Sequence, residues 1–156
     1  MLKRGSVAVA IVLMLCIVQG TAEGQAKRPN PGLVMWSAFT CVTYAELSGD
    51  EREQKRLFDI GYSAGKSFFG GIKNQTIPEA EQRKAPIGVL LRSGGPSVDF
   101  RIGRVFEGAV KDAYDKVVKE DSSGLPILDP SKWADGELKV IKAQNKYRGS
   151  NCALIK

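Results

Sequence analysis

Gly61-Tyr62-Ser63-Ala64-Gly65 matches the G-x-S-x-G spacing of a serine nucleophile elbow, and Ser63 with Lys66 also fits S-x-x-K. An elbow raises its serine on a sharp strand-to-helix turn, and the serine needs a base to take its proton. Neither requirement is met. Residues 51–60 form a polar, helix-favouring run, and the chain contains no histidine. On a helical wheel Gly61 and Gly65 share a stripe with Leu57, Phe58, Phe68 and Ile72, and Ser63 falls almost opposite. Lys66 lies off the apolar stripe, where nothing desolvates it to lower its pKa. The two glycines together cost about 2 kcal/mol of helix propensity. They read as packing sites for a neighbouring backbone or an aromatic ring, and no catalytic residue is assigned.

The densest mixture of charge and aromatic rings is residues 97–107, SVDFRIGRVFE. Asp99 stands in the first turn of the helix expected there, where the dipole and free backbone N–H groups favour a carboxylate. Capping and a salt bridge are its plain role. The sharper role makes Asp99, Arg104 and Glu107 a ligand or partner contact. Asp99 and Glu107 as a general acid and base would be an enzyme, but they stand two turns apart, and carboxylates at helical spacing are common.

The start of the chain changes the meaning of the cysteines. Lys3 and Arg4 precede an uncharged apolar run at 7–18, and Gly20, Ala22 and Gly24 offer cleavage before Gln25. This is an export signal, residues 1–24, too short in its apolar run for a membrane span. Cys16 invites a lipoprotein reading, but Leu15 is bulky where such signals carry a small residue, and Ile17 and Val18 continue the apolar run. After cleavage Cys41 and Cys152 remain, in a compartment where disulfides persist. Without histidine or a C-x-x-C pair they make no metal site. A disulfide between them is expected, the alternatives being two buried thiols or pairing between molecules. No cofactor is expected.

Lys and Arg number 23 against 17 acidic residues, a net charge of +6. Export turns a basic surface away from nucleic acid and toward lipid head groups, cell-wall polymers or acidic proteins. Lys139, Lys142 and Lys146, followed by Arg148, form a row on the last helix that suits an anionic surface or simply a solvated face.

These residues must be positioned by helices, since no useful period-two run occurs. A polar leader at 25–32 precedes a helix at 33–47 that is apolar nearly all round and therefore central. Its stripes are Leu33, Trp36, Thr40, Tyr44 and Leu47 on one side, and Val34, Ala38, Cys41 and Ala45 opposite. Gly49 stops it and Asp50 caps the next, at 51–70. A charged connection leads to a short apolar helix at 86–92. A long one follows at 96–119, with Phe100, Gly103, Phe106, Val110, Ala113, Tyr114 and Val117 as its core face. A loop at 120–134 is anchored by Trp133, and the last helix, 136–147, is stopped by Gly149. The fold expected is all-α: one domain at 33–156, a compact bundle of four to five helices with one disulfide.

Trp36-x4-Cys41-x2-Tyr44-Ala45, Leu57-Phe58-x2-Gly61-Tyr62-x2-Gly65-x2-Phe68, Pro96-Ser97-x-Asp99-Phe100-x2-Gly103-Arg104-x-Phe106-Glu107 and Asn151-Cys152 resemble small exported helical proteins of proteobacteria. The resemblance covers most of residues 25–156. It implies export and a helical fold, and it brings no activity and no functional residues. The functional expectation is a periplasmic, non-enzymatic protein that binds a protein or envelope component, in the manner of an inhibitor or immunity protein. The alternative is a carboxylate-dependent enzyme acting on an envelope polymer.

Overall fold

The structure, a computed structural model, describes residues 29–156; the expected export signal at 1–24, Cys16 and residues 25–28 of the leader lie outside the described residues. Asn30 starts the first helix. Its side-chain oxygen accepts from the N–H groups of Gly32 and Leu33 at 2.9 and 3.3 Å, and its amide donates to the Glu81 carbonyl at 2.6 Å. Pro31 takes the first helical position, where a missing N–H is harmless. Helix α1 (Pro31–Leu47) thus begins earlier than the apolar pattern at residue 33 suggests.

Gly49, at φ +79°, ends α1 in the left-handed conformation, and Asp50 caps α2 (Glu51–Lys73) by accepting from Glu53 N–H at 3.0 Å. Two single-turn helices follow, α3 (Glu79–Gln82) within the charged connection and α4 (Ile87–Leu90) directly after Pro86. Helix α5 (Val98–Val118) starts at Ser97, whose hydroxyl accepts from Phe100 N–H at 3.1 Å. Helix α6 (Gly136–Gly149) precedes a closing 3-10 turn, Cys152–Leu154. Among the described residues there is no strand, only an isolated antiparallel bridge between Glu120 and Pro126. The fold is all-α, as expected.

Helix α1 is the central element, with α2, α4, α5 and α6 all packed on it. Met35, Ala38, Phe39, Cys41, Val42, Thr43, Tyr44 and Ala45 are buried, so most of its circumference is covered. The expected stripes need correction at their N-terminal end. Leu33 is 47% exposed, and Trp36 sits at the edge of the core. Met35, Phe39 and Val42, absent from both stripes, carry the burial instead.

A larger correction concerns α5. Its buried face is Ile102, Val105, Ala109, Ala113 and Val117, at steps of three and four residues; Ala113 and Val117 are as expected and Phe106 packs on the core, while Phe100 is half exposed and Gly103 faces solvent. The aromatic rings drew the expected stripe toward the edges of the helix. Small side chains at Ala109 and Ala113 let α5 approach α1 closely, and the rings at Phe106 and Tyr114 cover the flanks. The stop of α6 also moves. Gly149 remains helical, and the left-handed residue is Asn151, at φ +54°.

The chain end is fastened twice. Cys41 on α1 and Cys152 form a disulfide with Cα atoms 5.7 Å apart, both residues fully buried. Beside it Arg56 donates to the carbonyls of Ile155 at 2.6 Å and Cys152 at 3.1 Å. The same guanidinium forms a two-point pair with Glu53 at 2.9 and 2.8 Å, and Tyr147 donates its hydroxyl to Oε2 of that carboxylate, the oxygen that also accepts from Arg56 Nη2. A bidentate pair of this kind orients both partners. The last residues are thereby held on α2.

Candidate functional site

The turn between α4 and α5 folds back onto α5. Arg101 Nε donates to the Gly95 carbonyl at 3.1 Å, and Arg104 Nη1 donates to the Gly94 carbonyl at 2.7 Å. The Phe100 ring lies over Gly95, where a Cβ would come within 2.4 Å of it, and Gly95 has φ +151°. Only glycine suits that position, on both counts. One turn further along α5, Gly108 admits the Arg92 side chain, whose Nε lies 2.0 Å from where a Cβ would stand. Arg92 donates to the Gly88 carbonyl at 3.1 Å, and its guanidinium is 6.0 Å from the Trp36 ring centre.

This arrangement leaves a shallow groove lined by Arg92, Phe100, Arg104, Glu107 and Lys111. Ile87, at the start of α4, and Leu91, its C-cap, stand one turn apart and are about 70% exposed, and Leu91 directly precedes Arg92 in the chain. The groove is therefore cationic, with the half-exposed Phe100 ring in its lining. Exposed apolar groups gathered beside charge are a common mark of an interaction surface.

Of the three residues singled out in the sequence, the structure brings Arg104 and Glu107 together and separates Asp99 from them. Asp99 turns toward α2, accepting from the Tyr62 hydroxyl at 2.8 Å with Lys66 Nζ at 3.4 Å. Lys66 also stands 5.0 Å over the Tyr62 ring. The Tyr62 hydrogen bond, with Lys66 second, holds the Asp99 carboxyl below the usual range, and Tyr62 and Asp99 raise Lys66. Both shifts favour the charged forms. A general acid needs the opposite shift in its carboxyl. Ser63 is exposed on the outer face of α2, where its carbonyl accepts from the Ser67 hydroxyl at 3.0 Å and Asp59 lines the same shallow recess.

The basic row of α6 is also divided. Lys142 and Lys146 face a cleft formed with residues 120–134, and Lys142 Nζ donates to the Glu120 carbonyl at 2.5 Å. Arg148 lies in a separate recess with Ser48, Asp50 and Tyr147, and Lys139 lines neither. Among the described residues, no cluster of three or more cysteine, aspartate or glutamate side chains could hold a metal ion, and no helix is long and apolar enough to cross a membrane.

Sequence reasoning missed the Glu53–Arg56–Tyr147 network and the cleft. The Glu53–Arg56 spacing of three residues was a readable signal for an ion pair. Nothing local tied it to Tyr147 or to the chain end. Comparison with known proteins finds no family model, no curated protein and no solved structure that matches the chain.

Proposed function

We propose that this is an exported, periplasmic, non-enzymatic protein that binds another protein or an envelope component through the α4–α5 groove, in the manner of an inhibitor or immunity protein. The observation that carries the reading is the surface itself: Arg92, Arg104 and Lys111 line a groove together with the half-exposed Phe100 ring, and the strongly exposed Leu91 directly precedes Arg92 in the chain. A partner with an acidic rim around an apolar contact would complement it. The buried Cys41–Cys152 disulfide supports an oxidising compartment, since such bonds are rare where thiols are kept reduced. The catalytic alternative is less well supported, because Asp99 is stabilised as a carboxylate and stands apart from Glu107.

Affinity capture from a native envelope extract tests the reading, with the wild-type chain, Arg104→Glu and Leu91→Asp as parallel baits. A component retained by the wild type and lost by both variants is expected. Equal retention by all three baits would remove the groove from the interaction. N-terminal sequencing of the exported product, expected to begin at Gln25, checks the address.

A further inference from the structure

Residues 120–134 and α6 enclose an open-sided cleft of about 750 Å³, a volume typical of small-molecule sites. Its walls are held rigidly. Ile127 N–H donates to the Lys119 carbonyl at 2.7 Å, and the Ile127 carbonyl accepts from Trp133 Nε1 at 2.9 Å. Ala134 N–H donates to the Val118 carbonyl at 2.9 Å, and the Lys142–Glu120 bond ties the loop to α6. A cleft whose sides are already fixed spends little ordering free energy when it is filled.

The lining has two characters. Ile127 and Leu138 supply apolar surface, Leu138 being 56% exposed, and the buried Ala134 lies beneath them. Lys132, Lys142 and Lys146 supply cations. Lys142 rests on a carbonyl rather than a carboxylate, so its charge is not neutralised. Lys146 has no acidic partner within 4.0 Å among the described residues, and the only one for Lys132 is Asp129 at 3.9 Å. Glu120 and Asp121 also line the cleft, but Asp121 is turned into its own loop, accepting from the N–H groups of Ser123 at 2.8 Å and Leu125 at 3.0 Å. Unneutralised cations beside exposed apolar surface, in a concave and preformed site, call for a ligand with both characters.

We propose that this cleft binds a single amphipathic anion, a long-chain carboxylate, with its head on Lys142 and Lys146 and its tail along Leu138 and Ile127. The site shares no lining residue with the α4–α5 groove, so the two stand or fall separately. Calorimetric titration of the purified chain with decanoate, decanol and inorganic phosphate tests it. Decanoate is expected to saturate one site, with decanol and phosphate weaker by about tenfold or more. Lys146→Gln and Leu138→Gln, both at solvent-accessible positions, should each weaken decanoate by about tenfold, while Glu120→Gln should tighten it. Equal binding of decanol, or indifference to all three substitutions in folded protein, overturns the proposal. So does binding confined to vesicles of anionic lipid, which would reassign these lysines to a membrane surface.

Discussion

Gly61 presents a bare Cα to the Phe39 ring, and a Cβ at that position would lie 2.5 Å from Phe39 Cε1. Phe39 is fully buried and meets Phe106 edge-on, with ring centres 5.1 Å apart, so it has nowhere to retreat. Gly61→Ala gains about 1 kcal/mol in helix propensity and loses about 1–3 kcal/mol to overpacking. A net loss is expected, larger for Gly61→Leu. At Gly65 the nearest atoms are Ile102 Cγ1 and Met35 Sδ, both at 2.8 Å, and a flexible methionine yields more readily. Denaturant melts should rank Gly61→Leu below Gly61→Ala, with Gly65→Ala the mildest. Ser63→Ala, on the exposed face, should change stability by less than about 0.5 kcal/mol.

That close approach was legible as a need before its partner was known. Two glycines on the core stripe of a helix demand something large opposite, and the sequence had already made an aromatic ring one candidate. The same weighting of aromatics misled the reading of α5. Phe100 and Tyr114 are expected in the core and lie largely outside it, whereas Ile102, Val105 and Ala109, absent from the expected face, are buried beside the expected Ala113 and Val117. Helical periodicity states which residues share a face, but which face turns inward depends on how near the neighbouring helix can come. The disulfide was legible from the expected export and the cysteine count. The Asp99–Arg104–Glu107 group was not, because a helix carries Asp99 toward α2 and Arg104 toward the turn at Gly94.

The Cys41–Cys152 bond spans a sequence separation of 111 and ties α1 to the chain end. In the chain-entropy model a loop of that size contributes on the order of 4–5 kcal/mol, an upper figure. Mass analysis without reductant should find the chain two protons lighter than the dithiol; two alkylatable thiols in native protein would falsify the pairing. Cys41→Ala with Cys152→Ala should lower the denaturant midpoint strongly, and reductant should then have no further effect.

Glu53 titrates at about 2 rather than 4.5, because Arg56 and then Tyr147 hydrogen-bond its charged form. A carboxyl whose pKa is lower when folded stabilises the fold above its unfolded value. That contribution is lost as pH falls from about 4.5 toward 2. The pair is partly solvated, so the contribution is on the order of 1–2 kcal/mol after screening. Glu53→Gln should therefore destabilise at neutral pH and flatten the stability profile between pH 4.5 and 2 relative to the wild type. An unchanged slope across that window would place the acid sensitivity elsewhere, for instance at Asp115, which Lys111 and Lys119 hold low.

Gly108→Ala separates the geometry of the α4–α5 groove from the stability of the fold. A methyl at 108 would occupy the position of the Arg92 guanidinium, with Nε only 2.0 Å away. The arginine end is flexible and half-buried, so it can swing out rather than strain the helices. Leaving, it gives up its bond to the Gly88 carbonyl and its place over the Trp36 ring. The lost hydrogen bond has a charged donor and is worth about 1.5–3 kcal/mol, of which the alanine returns about 1 kcal/mol in helix propensity. Stability should therefore fall modestly without loss of the fold, while the guanidinium leaves its place in the groove. Trp36 fluorescence should shift as the guanidinium departs, and capture of the envelope component should weaken in parallel with Arg104→Glu. A variant that keeps the wild-type emission and the wild-type capture would overturn the expected displacement of Arg92.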